Sequence, residues 1–341
     1  MIKYNNYFKN KIGLNLDDYI KFSDKYIIYE SNRKGKEFDN FTNSLIYEGE
    51  YLNGERNGKG TEFYFFDKKI FYKGQYLNGK RNGKGREYYS NGKLKFKGEY
   101  LNGRKNGKSK EYFDNGKLQF EGEYLNNEKN GKGKEYYKNG KLEFEGEYLN
   151  NKKNGKGKEY YKNGNLFFEG EYLNGLKHGK SKRYDKKGNF YFEGEYKKGE
   201  RNGKGKEYDK KGNLYFEGEY LNDIKNGKGK EYDKKGNLYF EGEYLNDIKN
   251  GKAKRYYENG ELEFDGEYKD GLLNGNAKEY YKNGKLRFEG KYIDSMVNGY
   301  GKLYYNNGKL KFEGEFLDGL PTCGKEYDSH GNLKNLKKFN N

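Results

Sequence analysis

Apolar and polar positions alternate in short bursts along almost the whole chain. In one stretch Leu142, Phe144, Gly146 and Tyr148 alternate with Glu143, Glu145, Glu147 and Leu149. The polar segment Asn150 to Asn154 follows, and then Lys156, Lys158 and Tyr160 alternate with Gly155, Gly157, Glu159 and Tyr161. A period of two is the signature of a half-buried strand. Asn- and Gly-rich breaks such as Lys162-Asn163-Gly164 are turns, in which Gly takes a positive φ. Strands joined by such short loops pair as antiparallel neighbours.

The same two-strand unit recurs. The glycine of the Glu-Gly-Glu-Tyr element falls at 49, 74, 98, 122, 146, 170, 194, 218, 242, 266, 290 and 314, a first interval of 25 residues and then ten of 24. A fixed period of this length means a repeat architecture. The pattern predicts an all-β fold: an elongated single-layer antiparallel β-meander of twelve tandem two-stranded units. Its roughly 24 strands, at about 4.8 Å each, would extend on the order of 110 Å. Residues 45–333 form the array, and Pro321 loosens its last unit. Residues 1–44 read as an N-terminal cap in which Phe22, Tyr26, Gly35, Lys36, Glu37 and Phe38 make a degenerate unit. Asn15 to Lys25 reads alternatively as a short helix with Asn15 as its N-cap. Residues 334–341 read as a basic tail with two apolar positions, Leu336 and Phe339.

Charge sets the expected facing. Placing Glu145 and Glu147 beside Lys156 and Lys158 pairs opposite charges across strands. Leu142, Phe144, Tyr148 and Tyr161 then share the other face with Gly146, Gly155 and Gly157, which lets the rings lie flat on the backbone. The core aromatics expected from this register include Phe96, Tyr100, Phe120, Tyr124, Phe144, Tyr148, Phe168 and Tyr172. One covariation resists simple alternation. Where the second Tyr of the Tyr-Tyr pair becomes Asp185, Asp209 or Asp233, a new aromatic appears six residues later, at Tyr191, Tyr215 or Tyr239. Strict alternation would put that aromatic on the opposite face.

Composition sharpens the picture. Gly is 51, Pro 1 and Trp 0, while Tyr 40 and Phe 23 make up 18% of the chain and the net charge is +17. A chain this polar and charged reads by default as disordered. The period and the tyrosine rings, which supply the apolar area that aliphatic residues lack, argue for a fold instead. No apolar run reaches the roughly 18 residues of a membrane-spanning helix. Met1 to Tyr7 lacks the apolar stretch of a secretory signal, and a lone Cys323 fits a reducing compartment. The expected location is therefore cytoplasmic, with membrane association where the basic edge meets lipid.

The run Tyr47 to Gly60, with its Glu-Gly-Glu-Tyr-x-Asn-Gly-x-x-Asn-Gly-Lys-Gly pattern, resembles the MORN repeat (membrane occupation and recognition nexus). The likeness covers roughly residues 45–333. Two departures stand out: Tyr51, Tyr76 and Tyr100 occupy places where the family often has Trp, and the Asn-Gly-Lys-Leu element matches a variant subtype. The resemblance implies a single-layer sheet serving as a scaffold for protein partners. It also brings two alternatives, binding of acidic phospholipid headgroups and the antitoxin role assigned to some bacterial variant members. It carries over no catalytic residue.

The residues themselves offer no enzyme, cofactor or metal site. His178 replaces a turn Asn and His330 lies in Asp-Ser-His-Gly, both without partners at ligand spacing. Cys323 has no nearby His to activate it. Glu145, Glu147 and Glu159 recur in nearly every unit beside Lys, which marks a cross-strand ionic ladder rather than a catalytic carboxylate pair. Gly103 to Ser109 and Gly175 to Ser181 have one residue too few between their glycines for a phosphate loop, and a strand rather than a helix is expected to follow. The basic surplus is more informative. Lys80, Arg81, Arg104, Lys105, Lys129, Lys152, Lys153 and Arg201 fall at hairpin tips and would stack into a basic edge. An unidentified protein partner or acidic membrane lipid is its expected contact. Nucleic acid is disfavoured, because only 9 of the 70 cationic residues are Arg, the residue suited to bidentate base and phosphate contacts.

Overall fold

The computed structural model describes residues 24–337. Every regular element among them is a strand, 29 in all, running from Lys25–Tyr29 to Leu333–Lys337 in one antiparallel meander. The sheet divides into two compact units, Met1–Asn165 with Tyr172–Gly175 and Leu166–Glu171 with Leu176–Asn341.

In the first unit Glu145 stands opposite Lys158 on one side and Lys134 on the other, Lys132 stands opposite Glu147, and Gly146 lies between Gly133 and Gly157. In the second unit Glu217 lies between Lys206 and Lys230, Lys204 faces Glu219, and Gly218 lies between Gly205 and Gly229. The expected separation into a charged face and an aromatic face is therefore present in both.

Two irregularities recur in each repeat. In the first, Glu135 faces Phe144 and Tyr136 faces Leu142, which leaves Glu143 as an extra residue in its strand. Such a bulge breaks the strict alternation of side chains. This resolves the moving aromatic. Tyr239 occupies the bulge, yet its hydroxyl donates to Glu231 Oε2 at 2.5 Å, beside Tyr244, which donates to Glu231 Oε1 at 2.6 Å. The ring has moved along the aromatic face without leaving it. At the vacated place Asp233 caps the turn, its Oδ1 accepting from the amides of Lys235 and Asn237. Where Tyr is kept, it joins consecutive repeats: the Tyr137 hydroxyl donates to the Tyr160 carbonyl at 2.7 Å.

The second irregularity lies between Gly146 and Tyr148, where the facing strand runs through Gly155 at φ +81°. The tight hairpins beside it use two consecutive left-handed residues, such as Asn150 and Asn151 at φ 49° and 66°. These mirror-image turns match the right-handed twist of the strands they join.

The core is a spine of edge-to-face rings. In the first unit Phe144 meets Tyr148 at 5.4 Å and Tyr172 at 5.5 Å between centroids. In the second, Phe216 meets Tyr220 at 5.9 Å and Tyr244 at 5.6 Å. Phe96, Tyr100, Phe120, Tyr124, Phe144, Tyr148, Phe168 and Tyr172 are all buried. Among the described residues no second layer covers this spine. Its lid is made of side chains from the same strands. Lys153, expected at a solvated tip, instead lays its Nζ 4.3 Å from the Phe144 ring centroid and pairs with Glu159 at 2.7 Å. The correction follows from alternation: Lys152 and Lys153 are adjacent in a strand and point to opposite faces, and Lys153 is the one opposite Tyr148.

At the start of the described chain, strand Lys25–Tyr29 pairs with Lys34–Asp39, and Tyr26 stacks on Phe38 at 5.4 Å. The buried Glu37 is paired with Lys25 and Arg56. Phe22 and nearly all of the alternative helix lie outside the described residues. At the other end, Leu333–Lys337 continues the sheet against Leu320–Tyr327, so the meander runs past the boundary expected at 334.

Candidate interaction surfaces

The hairpin edge differs from the uniform basic row read from the sequence. Of the eight cations expected there, Lys80, Arg104 and Lys152 are exposed, each the residue that follows the turn. Arg81, Lys105, Lys129, Lys153 and Arg201 turn to the aromatic face and are neutralised there. Arg81 bridges Glu62 at 2.7 Å and Glu87 at 3.0 Å, and lies 4.0 Å from the Tyr72 ring centroid. Lys105 pairs with Glu111 and Lys129 with Glu135, while Arg201 pairs with both Glu207 and Asp223. The carboxylates in this lid are strongly held. Burial pushes the Glu231 carboxyl up, but hydrogen bonds from Tyr239, Tyr244 and Lys249 hold it below the usual carboxylate range. Glu143, in its bulge, is pushed up by burial and by the neighbouring Glu135.

The inward residue of each tip, a cation as far as Lys249 and then Leu273 and Val297, faces the spine, so the residue just after the turn decides the character of the edge. In the first unit it is Glu55, Lys80, Arg104, Glu128 and Lys152. In the second unit it is Leu176, then Glu200 opposite Lys197, and from Ile224 onward it is aliphatic, pairing four times with the aliphatic residue before the turn: Leu221 with Ile224, Leu245 with Ile248, Ile293 with Met296 and Leu317 with Leu320. Leu272 adds to the row opposite Lys269. Ile224 apart, these aliphatic side chains are 42–70% exposed. The turns between them carry Asp223, Asp247, Asp270, Asp294 and Asp318, all exposed. This apolar and acidic edge was visible in the sequence as a change at one repeat position, but only the pairing shows that the aliphatic residues meet.

The charged face carries a second feature. In the second unit Gly170, Ser181, Gly194, Gly205, Gly218 and Gly229 line up as the floor of a groove of about 900 Å³. Its walls are Glu169 and the neighbours of those residues in each strand, namely Lys180 and Lys182, Glu193 and Glu195, Lys204 and Lys206, Glu217 and Glu219, and Lys228 and Lys230. The two walls differ. In one, Lys206 pairs with Glu217 at 3.7 Å while Lys182 and Lys230 form no ion pair among the described residues, and Tyr208 and Tyr232 donate to Glu193 and Glu217. In the other, the carboxylates fold back over the bulge. Glu195 and Glu219 lie against Gly203 and Gly227, and Glu219 Oε2 accepts from the backbone amide of Lys228 at 3.2 Å. Lys180, Lys204 and Lys228 form no ion pair among the described residues, so their ammonium groups remain available.

The residues set aside as candidates for chemistry are dispersed. His178 lies within strand Leu176–Tyr184 rather than in the turn, and His330 accompanies the Asp328 turn. Cys323 is exposed. Glu145 and Glu147 are on the charged face, whereas Glu159 belongs to the lid. Strand Gly107–Tyr112 contains the end of the Gly103 to Ser109 segment, which rules out the helix that a phosphate loop requires.

Two-stranded units stacked in sequence order, each donating rings to a shared spine, define a tandem-repeat protein of the all-β class. Comparison with known families gives it a place. The MORN repeat matches residues 47–64, 72–93, 120–141, 144–166, 168–190, 192–214 and 216–238. The MORN repeat variant matches 105–126, 249–270, 273–294 and 297–318. The chain belongs to the MORN-repeat family. No curated protein sequence matches it. Among solved structures, TarM, also solved from S. aureus, is 16% identical over 37% of this chain and 27% of its own, with a TM-score of 0.22. The GtfA/B complex bound to UDP and GlcNAc is 15% identical over 39% of this chain and 22% of its own, with a TM-score of 0.12. The TcdB2-TccC3-TEV structure is 11% identical over 93% of this chain and 23% of its own, with a TM-score of 0.14. The chain thus spans about a quarter of the length of these proteins.

Proposed function

We propose that this protein is a non-enzymatic repeat scaffold that holds a protein partner along the hairpin edge of its second unit. The observation that carries the reading is the row of paired, exposed aliphatic residues from Leu221 to Leu320. Folding does not need them, because the first unit builds the same hairpins with charged residues at the post-turn position, as at Lys80 and Lys152. Contiguous exposed apolar surface of this kind marks interaction sites. The Asp residues at the adjoining turns favour a partner that flanks its apolar contacts with Lys or Arg. They disfavour an anionic bilayer, as does the neutralisation of Arg81, Lys105, Lys129, Lys153 and Arg201 within the lid.

The test is a pull-down from the native source with the full chain and with an Ile248→Asp, Leu272→Asp, Met296→Asp variant. The expected result is a captured protein that the variant loses at unchanged melting temperature. Undiminished capture by the variant would remove this edge as the binding surface. Co-sedimentation with acidic vesicles that is lost on changing Lys80, Arg104 and Lys152 to Gln would favour the lipid reading instead.

A further inference from the structure

A different surface, independent of the aliphatic edge, carries a more specific assignment. The groove on the charged face of the second unit has a flat floor, because five of its six floor residues are glycine and the sixth is Ser181. Along one wall Lys180, Lys204 and Lys228 recur on every second strand, with Glu195 and Glu219 on the strands between them. Strands lie about 4.8 Å apart, so the available ammonium groups recur at roughly 9.6 Å. The two walls stand on residues two apart in the same strand, roughly 6.7 Å along it.

These dimensions select among polymers. An α-helix returns a side chain to one face with each turn of about 5.4 Å, and so falls out of step with the lysines. A β-strand repeats a side chain on one face every 6.7 Å or so and falls out of step after one contact. A B-form strand carries one phosphate per about 3.4 Å of helix axis, a density that brings charge against Glu195 and Glu219 as well as against the lysines. The same interleaved glutamates oppose a uniformly acidic polymer or an acidic bilayer. A polyproline II chain advances about 3.1 Å per residue with three residues per turn, and so returns a side chain to one face every 9.3 Å or so. That period matches the lysine spacing to within a few tenths of an ångström. The form is also extended and partly pre-ordered, so little conformational entropy is lost when it binds.

We propose that this groove binds an acidic polyproline II segment of a protein partner, with a carboxylate at every third residue seated on Lys180, Lys204 and Lys228 and neutral or basic residues opposite Glu195 and Glu219.

The test uses the full chain and two fluorescent peptides carrying the same number of glutamates, one a Pro-Pro-Glu repeat and the other a Pro-Glu repeat. At low ionic strength the Pro-Pro-Glu peptide binds about tenfold or more tightly than the mis-spaced one. Each exposed pair is worth a fraction of a kcal/mol, and three acting together reach about a factor of ten. Carbodiimide coupling, which joins carboxylates to amines in contact, places the Pro-Pro-Glu peptide on Lys180, Lys204 and Lys228. Changing those three to Gln abolishes this labelling at unchanged melting temperature. Equal affinity for both peptides overturns the proposal, as does coupling concentrated on hairpin-edge lysines such as Lys80 and Lys152. A polyglutamate or acidic vesicle that binds as tightly as the Pro-Pro-Glu peptide overturns it too, because the surface would then read charge without spacing. Loss of the aliphatic-edge partner leaves this assignment untouched, and the reverse also holds.

Discussion

At the scale of single residues, the strongest constraint is how closely two backbones approach beneath each ring. Gly146 and Gly157 face each other across strands, but they are not equivalent. A Cβ on Gly146 would stand 2.7 Å from Gly157 Cα and 2.7 Å from the Lys156 carbonyl oxygen, both backbone atoms that cannot move aside. A Cβ on Gly157 would press mainly on the Phe144 ring, 2.6 Å away, and a ring can tilt. The chain has made the second substitution itself, with Ser109, Ser181, Ala253 and Ala277 at positions equivalent to Gly157. All twelve positions equivalent to Gly146 are Gly. Gly146→Ala is expected to cost about 1–3 kcal/mol as an overpacking change, and Gly157→Ala less than about 1 kcal/mol. Denaturant melts of the two variants check this, and equal costs would refute the assignment of backbone and ring contacts. The invariance of one glycine series was legible in the sequence. Its cause was not, since it depends on what lies across the sheet.

At the scale of the hairpin, the turn residues do two jobs. Asn150 and Asn151 both take positive φ, and the Asn151 side chain accepts a hydrogen bond from the Lys129 amide of the preceding repeat at 2.8 Å. Asp247 does the same for Lys225 and Ser295 for Leu273. Other repeats place Gly at this position, as at Gly103 and Gly175, gaining backbone freedom and giving up that acceptor. Asn151→Ala should therefore cost about 1–2 kcal/mol, because Ala resists the left-handed conformation and leaves the Lys129 amide without its acceptor. Asn151→Gly should lie within about 0.5 kcal/mol of the parent, as the two effects offset. Equilibrium unfolding of both variants distinguishes them; an Ala variant as stable as the Gly variant would mean the turn is not of the mirror-image type. The bulge at Glu143 is the element that sequence reasoning missed. Its only signal was the paired exchange of Asp185, Asp209 and Asp233 with Tyr191, Tyr215 and Tyr239, whose faces disagreed under strict alternation.

At the scale of the whole molecule, stability is a sum of similar repeats and their interfaces, so a titration shared by many repeats acts many times over. Tyr136, Tyr208, Tyr256 and Tyr304 are pushed up to about 12, first by burial and then by the carboxylates that their hydroxyls bond. The spine tyrosines such as Tyr76 and Tyr100 are pushed up further, again mainly by burial. In the unfolded chain a tyrosine ionises near pH 10. Above that pH the unfolded chain loses protons that the folded chain keeps, so stability falls as pH rises through roughly 10 to 12. On the acid side, hydrogen bonds from the backbone and side chain of Asn213 and Asn237 hold the Asp209 and Asp233 carboxyls below the usual range. Their contribution is present above about pH 4 and fades below it. Melting temperature should therefore be flat between about pH 5 and 9 and fall steeply on the alkaline side, with most of the tyrosinate absorbance appearing only as the circular dichroism of the sheet is lost. Ionisation of most of the 40 tyrosines near pH 10 in a still-folded protein would show that the spine is open to solvent.

The sequence by itself determined the strands, their order and the division into a charged and an aromatic face. It could do so because a period of two within a period of 24 leaves one antiparallel pairing that matches both charge and ring positions. Only the tertiary structure decided which charges are free. Lys153 and Lys180 look alike in sequence, each a lysine near Asn-Gly or His-Gly after a turn. One is bent over a ring and bound to Glu159, whereas the other stands in the wall of the groove while its carboxylate neighbour Glu195 folds over Gly203. The difference lies in the bulge and in the facing strand, and a side chain's partner across a sheet is set by register, which spacing along one strand does not contain.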